Sequence, residues 1–155
     1  MKKNNGNIRE KTREYAFLLL KFRMRSEKEL IFRLKKKGFP EEVIQETVCV
    51  LKEKHFIDDQ IFTRAWISSR LKKPWGLIRI RKELREKGIS PGIITEQIAQ
   101  LKEGYAEIEV VRALAEKKMG ALKAVEPQRA RARVYGYLAR RGFSPAIASE
   151  VLREL

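Results

Sequence analysis

One cysteine and one histidine stand among 155 residues, and that scarcity excludes much of the chemistry side chains can perform. A lone thiol, Cys49, permits no intramolecular disulfide framework and suits a reducing compartment. It lies between Val48 and Val50 in an amphipathic stretch, so it reads as a small packed or partly exposed residue rather than a nucleophile. His55 has no partners nearby in the sequence with which to build a zinc site or a serine–histidine system, and reads as a loop residue. Neither GxxxxGK[ST] nor GxGxxG occurs, which leaves a phosphate-cradling loop without support. Long apolar runs are missing as well. The longest early one, "YAFLLL", falls far short of the ~18–20 residues of a membrane-spanning helix. The opening "MKKNNGNIREKTREY" is charged with no apolar core behind it and does not read as a signal peptide. These absences predict a non-enzymatic cytoplasmic protein with no cofactor, no metal and no membrane role. Acidic residues are also in the minority, 20 against 35 Lys and Arg for a net charge of +15, and such an imbalance points to polyanionic partners.

What the chain does contain is one pattern written three times. "LKKKGFPEEVIQETVCVL", "LREKGISPGIITEQIAQL" and "LARRGFSPAIASEVLREL" align on Gly38, Gly88 and Gly142, 50 and 54 residues apart, a spacing typical of repeated supersecondary units. Apolar residues recur at fixed offsets from each glycine: Leu30, Ile80 and Val134; Leu34, Leu84 and Leu138; Phe39, Ile89 and Phe143; Val43, Ile93 and Ile147; Val48, Ile98 and Leu152; Leu51, Leu101 and Leu155. These are core positions of two helices joined by a turn. Each glycine suits the left-handed residue that ends a helix, and the basic residues before it suit the negative end of the helix dipole. Pro40, Pro91 and Pro145 fit the first turn of the following helix, with Ser90 and Ser144 as caps.

A further helix precedes each pair, near Lys11–Phe22, Asp58–Leu71 and Ala106–Met119. Ser26 with Glu29 forms a capping box for the second helix of the first repeat. Asp58 and Asp59 open the first helix of the middle repeat as caps rather than as metal ligands, and Glu41 and Glu42 read the same way. Phe62 and Trp66, one turn apart, are expected in the core with Ile61 and Ala65 beside them; Trp75 is expected to be exposed at a helix junction. The architecture expected is all-α, three tandem three-helix repeats in an elongated curved solenoid: a flexible tail over 1–10, then repeats over 11–57, 58–105 and 106–155.

Charge is divided unequally among these helices. The second helices, Ser26–Lys37, Leu77–Lys87 and Gln128–Arg141, carry +3, +3 and +5, whereas the third helices, Pro40–Lys54, Pro91–Glu103 and Pro145–Leu155, carry −2, −1 and −1. For any single residue, solvation of an exposed face is explanation enough. Recurrence over three helices points instead to a basic surface suited to a long polyanion. The third helices begin "PEEVIQE", "PGIITEQ" and "PAIASEV", poor in the donors a base-reading helix needs, so sequence-specific recognition of the helix-turn-helix kind is not expected.

The run "GFPEEVIQETVCVLKEKHFIDDQIFTRAWISSRL" followed by "WGLIRIRKELREKGI" resembles the RecX family, bacterial regulators of the RecA recombinase. The likeness extends from about Glu14 to Leu155. It is densest in the middle repeat, at Asp58, Asp59, Phe62, Trp66, Arg70, Gly76, Arg79, Glu83, Leu84, Lys87 and Gly88, and returns at "RGFSPAIASEVL". The third repeat is the most loosely patterned, with Pro127 between its helices.

The resemblance implies a protein that lies along RecA filaments on single-stranded DNA and restrains ATP hydrolysis, strand exchange and cleavage of the SOS repressor. Arg70, Lys72, Lys73, Arg79, Arg81, Lys82 and Arg85 are the central contact candidates, with Lys35, Lys36, Lys37, Arg140 and Arg141 flanking them. Single-stranded DNA is a possible direct partner. No coiled-coil seam calls for a dimer, so a monomer is expected. The alternative is a nonspecific DNA-binding protein acting without RecA.

Overall fold

The computed structural model describes residues 2–155, which form nine helices and, among the described residues, no strand. They are α1 (Lys2–Phe22), α2 (Glu27–Lys37), α3 (Glu41–Glu53), α4 (Asp59–Leu71), α5 (Leu77–Glu86), α6 (Pro91–Lys102), α7 (Glu107–Ala121), α8 (Pro127–Arg140) and α9 (Pro145–Glu154). Three helices per repeat is the expected arrangement. No helix of the described residues is long and apolar enough to cross a membrane.

Local signals place most helix ends. Gly38, Gly88 and Gly142 all adopt left-handed φ, at 97°, 78° and 80°. The amides after two of them return to the last turn, Phe39 N–H to the Leu34 carbonyl and Phe143 N–H to that of Leu138, so terminal carbonyls are satisfied inside the turn. Ser26 and Glu29 form the complete capping box. The Asp58 carboxylate accepts from the N–H groups of Gln60 and Ile61 and caps α4. Two caps depart from expectation. Pro40 is itself the N-cap of α3 and, having no side-chain acceptor, caps nothing; Ser144 occupies the N-cap of α9 without a side-chain hydrogen bond. The start of α1 also differs, at Lys2 rather than near Lys11. Its added turns are held from inside and outside: buried Thr12 donates to the Ile8 carbonyl, and Arg9 pairs with Glu46 of α3 at 2.9 Å.

The chain divides into two compact units, and the division falls within the middle repeat. Unit 1 runs to Ala65 and includes Arg85–Ile94; unit 2 comprises Trp66–Leu84 and Thr95–Leu155. The core of unit 1 is Ala16, Leu19, Leu30, Leu34, Ile44, Val48, Leu51 and Ile57. Unit 2 packs Val111, Ala115, Val134, Leu138, Phe143, Ala148, Val151 and Leu152.

The expected core is correct on the second helices and, on the third, at Val48, Ile98 and Leu152, but it is one residue out of phase at the start of the third helices. Val43, Ile93 and Ile147 are only half-buried, and the next residue in each repeat, Ile44, Ile94 and Ala148, is the buried one. Ile44 and Val48 are four residues apart, whereas Val43 and Val48 are five apart and ~140° out of line on a helix. The last offset holds only in the first repeat: Leu51 is buried, Leu101 half-buried and Leu155 exposed.

His55 is a fourth left-handed residue, at φ 59°, in the turn after α3, where its neighbours bond as they would around a glycine. A Cβ in this region costs about 1–2 kcal/mol, offset in part by the greater freedom glycine gives the unfolded chain. His55→Gly is therefore expected to stabilise the protein by about 0.5–1 kcal/mol, raising the melting temperature by roughly 2 °C in a thermal melt followed by circular dichroism.

Candidate functional site

Each unit contains a junction in which the N-terminus of one second helix meets the glycine turn of the next. In unit 1, Ser26 before α2 donates its hydroxyl to the Lys87 carbonyl at 2.6 Å, and the first N–H of α2, that of Glu27, donates to the Asp59 carboxylate at 2.9 Å. In unit 2, the Gly76 and Ile78 N–H groups at the start of α5 donate to the carbonyls of Arg141 and Gly142 at 2.8 and 3.1 Å, and Leu77 N–H donates to Glu107 at 2.9 Å. The two arrangements correspond position for position. Donors at one helix start, the Ser26 hydroxyl in unit 1 and the Gly76 and Ile78 N–H groups in unit 2, are matched to carbonyls at another helix end, and a carboxylate from the first residue of a further helix, α4 or α7, completes the cap. Asp59 thus caps α2 rather than its own helix. Burial, with Glu27 and Asp58 adding to it, lifts its carboxyl above the usual range against the opposing effect of the Glu27 N–H and Lys52.

These junctions bring charged side chains together. In unit 1, Glu29 accepts from Arg23, from Lys87 at 2.8 Å and from the Ser26 N–H. Burial pushes this carboxyl up, but the three donors outweigh it and hold it below the usual range.

In unit 2 the junction grows into a ladder of cations and aromatic rings. Glu83 is its hub, accepting from Arg70 Nε at 2.7 Å, Arg79 Nε at 3.0 Å and the Trp66 indole N–H at 3.0 Å. Burial raises the Glu83 carboxyl, and these three donors together more than reverse it, leaving it low. The Arg70 guanidinium lies 4.4 Å from the centre of the Trp66 ring. Those of Arg79 and Arg141 lie 3.6 and 4.6 Å from that of Trp75. Arg141 also lies over Tyr137, at 5.1 Å, and Lys118 stands 4.5 Å from the same ring. Such contacts contribute about 0.5–2 kcal/mol each, more as water is excluded.

The structure sorts the basic residues singled out from the sequence into three groups. Arg70, Arg79 and Arg141 belong to the ladder, oriented by partners within the protein. Lys72, Lys73, Lys82, Arg85, Lys36 and Arg140 are exposed, and Arg81 is half-buried. Lys35 is exposed and paired with Glu41, and Lys37 stands 5.2 Å from the Tyr15 ring.

The aromatic residues need correction. Phe62 is in the core as expected, but Trp66 is half-buried with its N–H on Glu83, and Ile61 and Ala65 are exposed, their place on α4 taken by buried Thr63 and Ile67. Trp75 is half-buried, and its indole nitrogen is enclosed with no hydrogen-bond partner among the described residues. Tyr137, Lys118 and Glu107 are not among the residues the sequence singles out; Lys118 meets Tyr137 19 residues away and Glu107 meets Leu77 30 residues away, while Tyr137 also meets Arg141 one turn on. Cys49 is exposed. No cluster of three or more His, Cys, Asp or Glu among the described residues is placed to hold a metal ion.

Comparison with known proteins accounts for all three repeats. Family models for the first, second and third three-helix domains of RecX match residues 13–49, 58–96 and 106–152. The regulatory protein RecX of Amycolatopsis mediterranei (strain U-32) is 32% identical over 147 residues, covering 94% of this chain and 83% of that protein. The regulatory protein RecX of Streptomyces coelicolor is also 32% identical over 147 residues, with 94% and 77% covered. In fold, the crystal structure of RecX from Lactobacillus salivarius matches with a TM-score of 0.86 over 97% of both chains at 21% identity. Another RecX crystal structure matches at 0.81, covering 97% of this chain and 73% of the other, at 23% identity. With all three domains in order and a third of its residues shared with full relatives, the chain belongs to the RecX family and is a regulatory protein rather than an enzyme.

Proposed function

We propose that this RecX protein regulates the RecA recombinase, docking along RecA nucleoprotein filaments on single-stranded DNA and restraining ATP hydrolysis, strand exchange and cleavage of the SOS repressor. It acts as a cytoplasmic monomer with three docking modules, the first including the whole of α1 and running to 57, the others over 58–105 and 106–155. The observation that carries the reading is the ladder of unit 2, in which four cations, Arg70, Arg79, Arg141 and Lys118, are oriented by aromatic faces and a single carboxylate. Side chains already held in place lose little freedom on meeting an anionic partner, and a guanidinium edge matches carboxylate or phosphate in two-pronged fashion. Exposed Lys72, Lys73, Lys82 and Arg85 extend the cationic surface, with Arg81, Lys35, Lys36, Lys37 and Arg140 as further contacts. A ligand bridging neighbouring RecA protomers restrains the filament by binding one of its states more tightly than the other.

The test is RecA ATPase on single-stranded DNA titrated with this protein at two salt concentrations. Inhibition is expected at substoichiometric amounts. The triple change Arg81→Ala, Lys82→Ala, Arg85→Ala should raise the half-inhibitory concentration about ten-fold without loss of helicity. Unchanged inhibition would remove these three from the interface. The rival reading, nonspecific DNA binding without RecA, draws on the five arginines and absent acids of Gln128–Arg141. It requires no effect on RecA at either salt, with tight, steeply salt-dependent binding to naked DNA.

A further inference from the structure

The second half of α1, "YAFLLLKF", carries apolar residues on every side, although one side suffices for the core of unit 1. Ala16 and Leu19 are buried in that core, and Tyr15 and Leu20 pack at its edges. Phe17, Leu18 and Phe22 are left on the outer side, 43%, 50% and 79% exposed. Leu18 and Phe22 are one turn apart, and exposed Lys21 lies one turn from both Phe17 and Leu18. Phe56, 52% exposed in the turn after α3, meets Phe17 edge to face with 5.0 Å between ring centres and carries the apolar surface beyond the helix. Together the four side chains expose roughly 400 Å². Apolar residues exposed singly need no explanation, but a contiguous patch of this size marks an interaction surface.

Charge around the patch is graded along α1. Glu10 and Glu14 continue the row of Leu18 and Phe22 at one-turn spacing toward the N-terminus of the helix. Past Glu14 the helix has no acid, and Lys21, Arg23 and Arg25 follow. The next carboxylates along the chain are engaged, Glu27 by Lys52 and Glu29 by Arg23 and Lys87. Burial and the like charges of Arg23 and Arg33 lower the pKa of Arg25, so cations are crowded at this end. On the far flank, exposed Lys54 stands two residues before Phe56, with Glu53 beside it.

We propose that this patch docks an amphipathic helix of an acidic partner protein, its apolar face packed across Phe17, Leu18, Phe22 and Phe56 and its carboxylates gathered at the Lys21 end. A row of residues one turn apart matches the ridges of a second helix, whose anchors recur at i, i+3, i+4 and i+7. A second copy of this chain would bring another +15 of charge to the contact. An anionic bilayer would meet Glu10 and Glu14 on the same row as the apolar residues. The proposal does not rest on the filament reading, since the patch lies in unit 1 and uses no residue of the ladder.

The experiment is fluorescence anisotropy of a fluorescein-labelled synthetic helix, with leucines at i, i+3, i+4 and i+7 and glutamates on its flanks, titrated with the full chain. A peptide of the same composition in shuffled order, unable to form an apolar face, controls for attraction to net charge alone. The parent is expected to bind the amphipathic helix about ten-fold more tightly than the shuffled peptide. Leu18→Ser with Phe22→Ser should weaken binding about ten-fold, and Phe56→Ala about three-fold, with circular dichroism unchanged because these side chains are exposed. Lys21→Glu should weaken it about five-fold at low salt, a deficit that closes as salt rises.

Equal binding of the shuffled peptide, or parental affinity in the folded Leu18/Phe22 double variant, overturns the proposal. So does partition of the parent onto phosphatidylglycerol vesicles, lost in the double variant while neither binds the helix, which reassigns the patch to a membrane surface. A parent that sediments as a dimer and a double variant that sediments as a monomer reassign it to a second copy. Failure of the filament reading is recorded separately, by RecA ATPase.

Discussion

Gly76→Ala is expected to lower the melting temperature by about 10 °C. A Cβ at Gly76 would stand 2.1 Å from the carbonyl oxygen of Gly142, 2.2 Å from its carbon and 2.3 Å from the nitrogen of Phe143, all backbone atoms that no rotamer change can withdraw. The helix start would have to move away, and the Gly76 and Ile78 N–H bonds to Arg141 and Gly142 would go with it. Overpacking of this kind costs about 1–3 kcal/mol and each lost hydrogen bond about 0.5–1.5. A total near 3–5 kcal/mol at about 2–4 °C per kcal/mol gives the shift. The corresponding residue of unit 1 is Ser26, which reaches the Lys87 carbonyl through its hydroxyl and so keeps the backbones further apart. Gly76→Ser is accordingly no rescue and should melt as low as Gly76→Ala. A melting temperature within 2 °C of the parent for either variant would mean that the junction opens at little cost.

The contrast between Gly76 and Gly38 shows where sequence reading stops. Gly38, Gly88 and Gly142 follow from what lies beside them, a basic helix end and an apolar residue after the turn, so their left-handed conformation is legible from a dozen residues. The capping box of Ser26 and Glu29 and the cap at Asp58 are local in the same way. Gly76 is different, because the atoms that exclude a side chain there belong to Gly142 and Phe143, 66 and 67 residues further on. Asp59 and Glu107 resist local reading for the same reason: each lies at the start of one helix and caps another. On the third helices the glycine register finds Val48, Ile98 and Leu152 but misses the first buried position by one residue, and burial there falls on Ile44, Ile94 and Ala148 rather than on the residues before them. Net charge located the basic helices but could not pick out the arginines held by Glu83, Trp66 and Trp75. Those contacts are tertiary.

Glu83→Gln is expected to weaken inhibition of RecA several-fold while leaving helical content unchanged, although no basic residue is altered. Glu83 holds Arg70 and Arg79 by their Nε atoms and Trp66 by its indole N–H, with its own side chain 16% exposed against 28% and 39% for the two arginines. The amide oxygen of Gln still accepts from one donor but carries no charge, so at least one guanidinium is released. The net positive charge of the surface rises by one in the variant. A site driven by charge alone would therefore inhibit more strongly, and one driven by orientation less.

Stability supplies a second readout. Because Glu83 is held below its ordinary range, its stabilising contribution is complete above the unfolded value near 4.5 and is lost as pH falls through the lower folded value. The parent should thus lose stability on acidification below about pH 4.5, and Glu83→Gln, having already lost this contribution, should lose less over the same interval. At neutral pH the variant should be about 1–2 kcal/mol less stable, a modest figure because both arginines retain contact with water. Arg79→Lys separates the two causes further. It keeps the charge but gives up the planar stack on Trp75 and the Nε bond to Glu83, and should weaken inhibition by a similar factor. Inhibition stronger than the parent's in Glu83→Gln and equal to it in Arg79→Lys would show that RecA reads the charge of this surface and not its geometry.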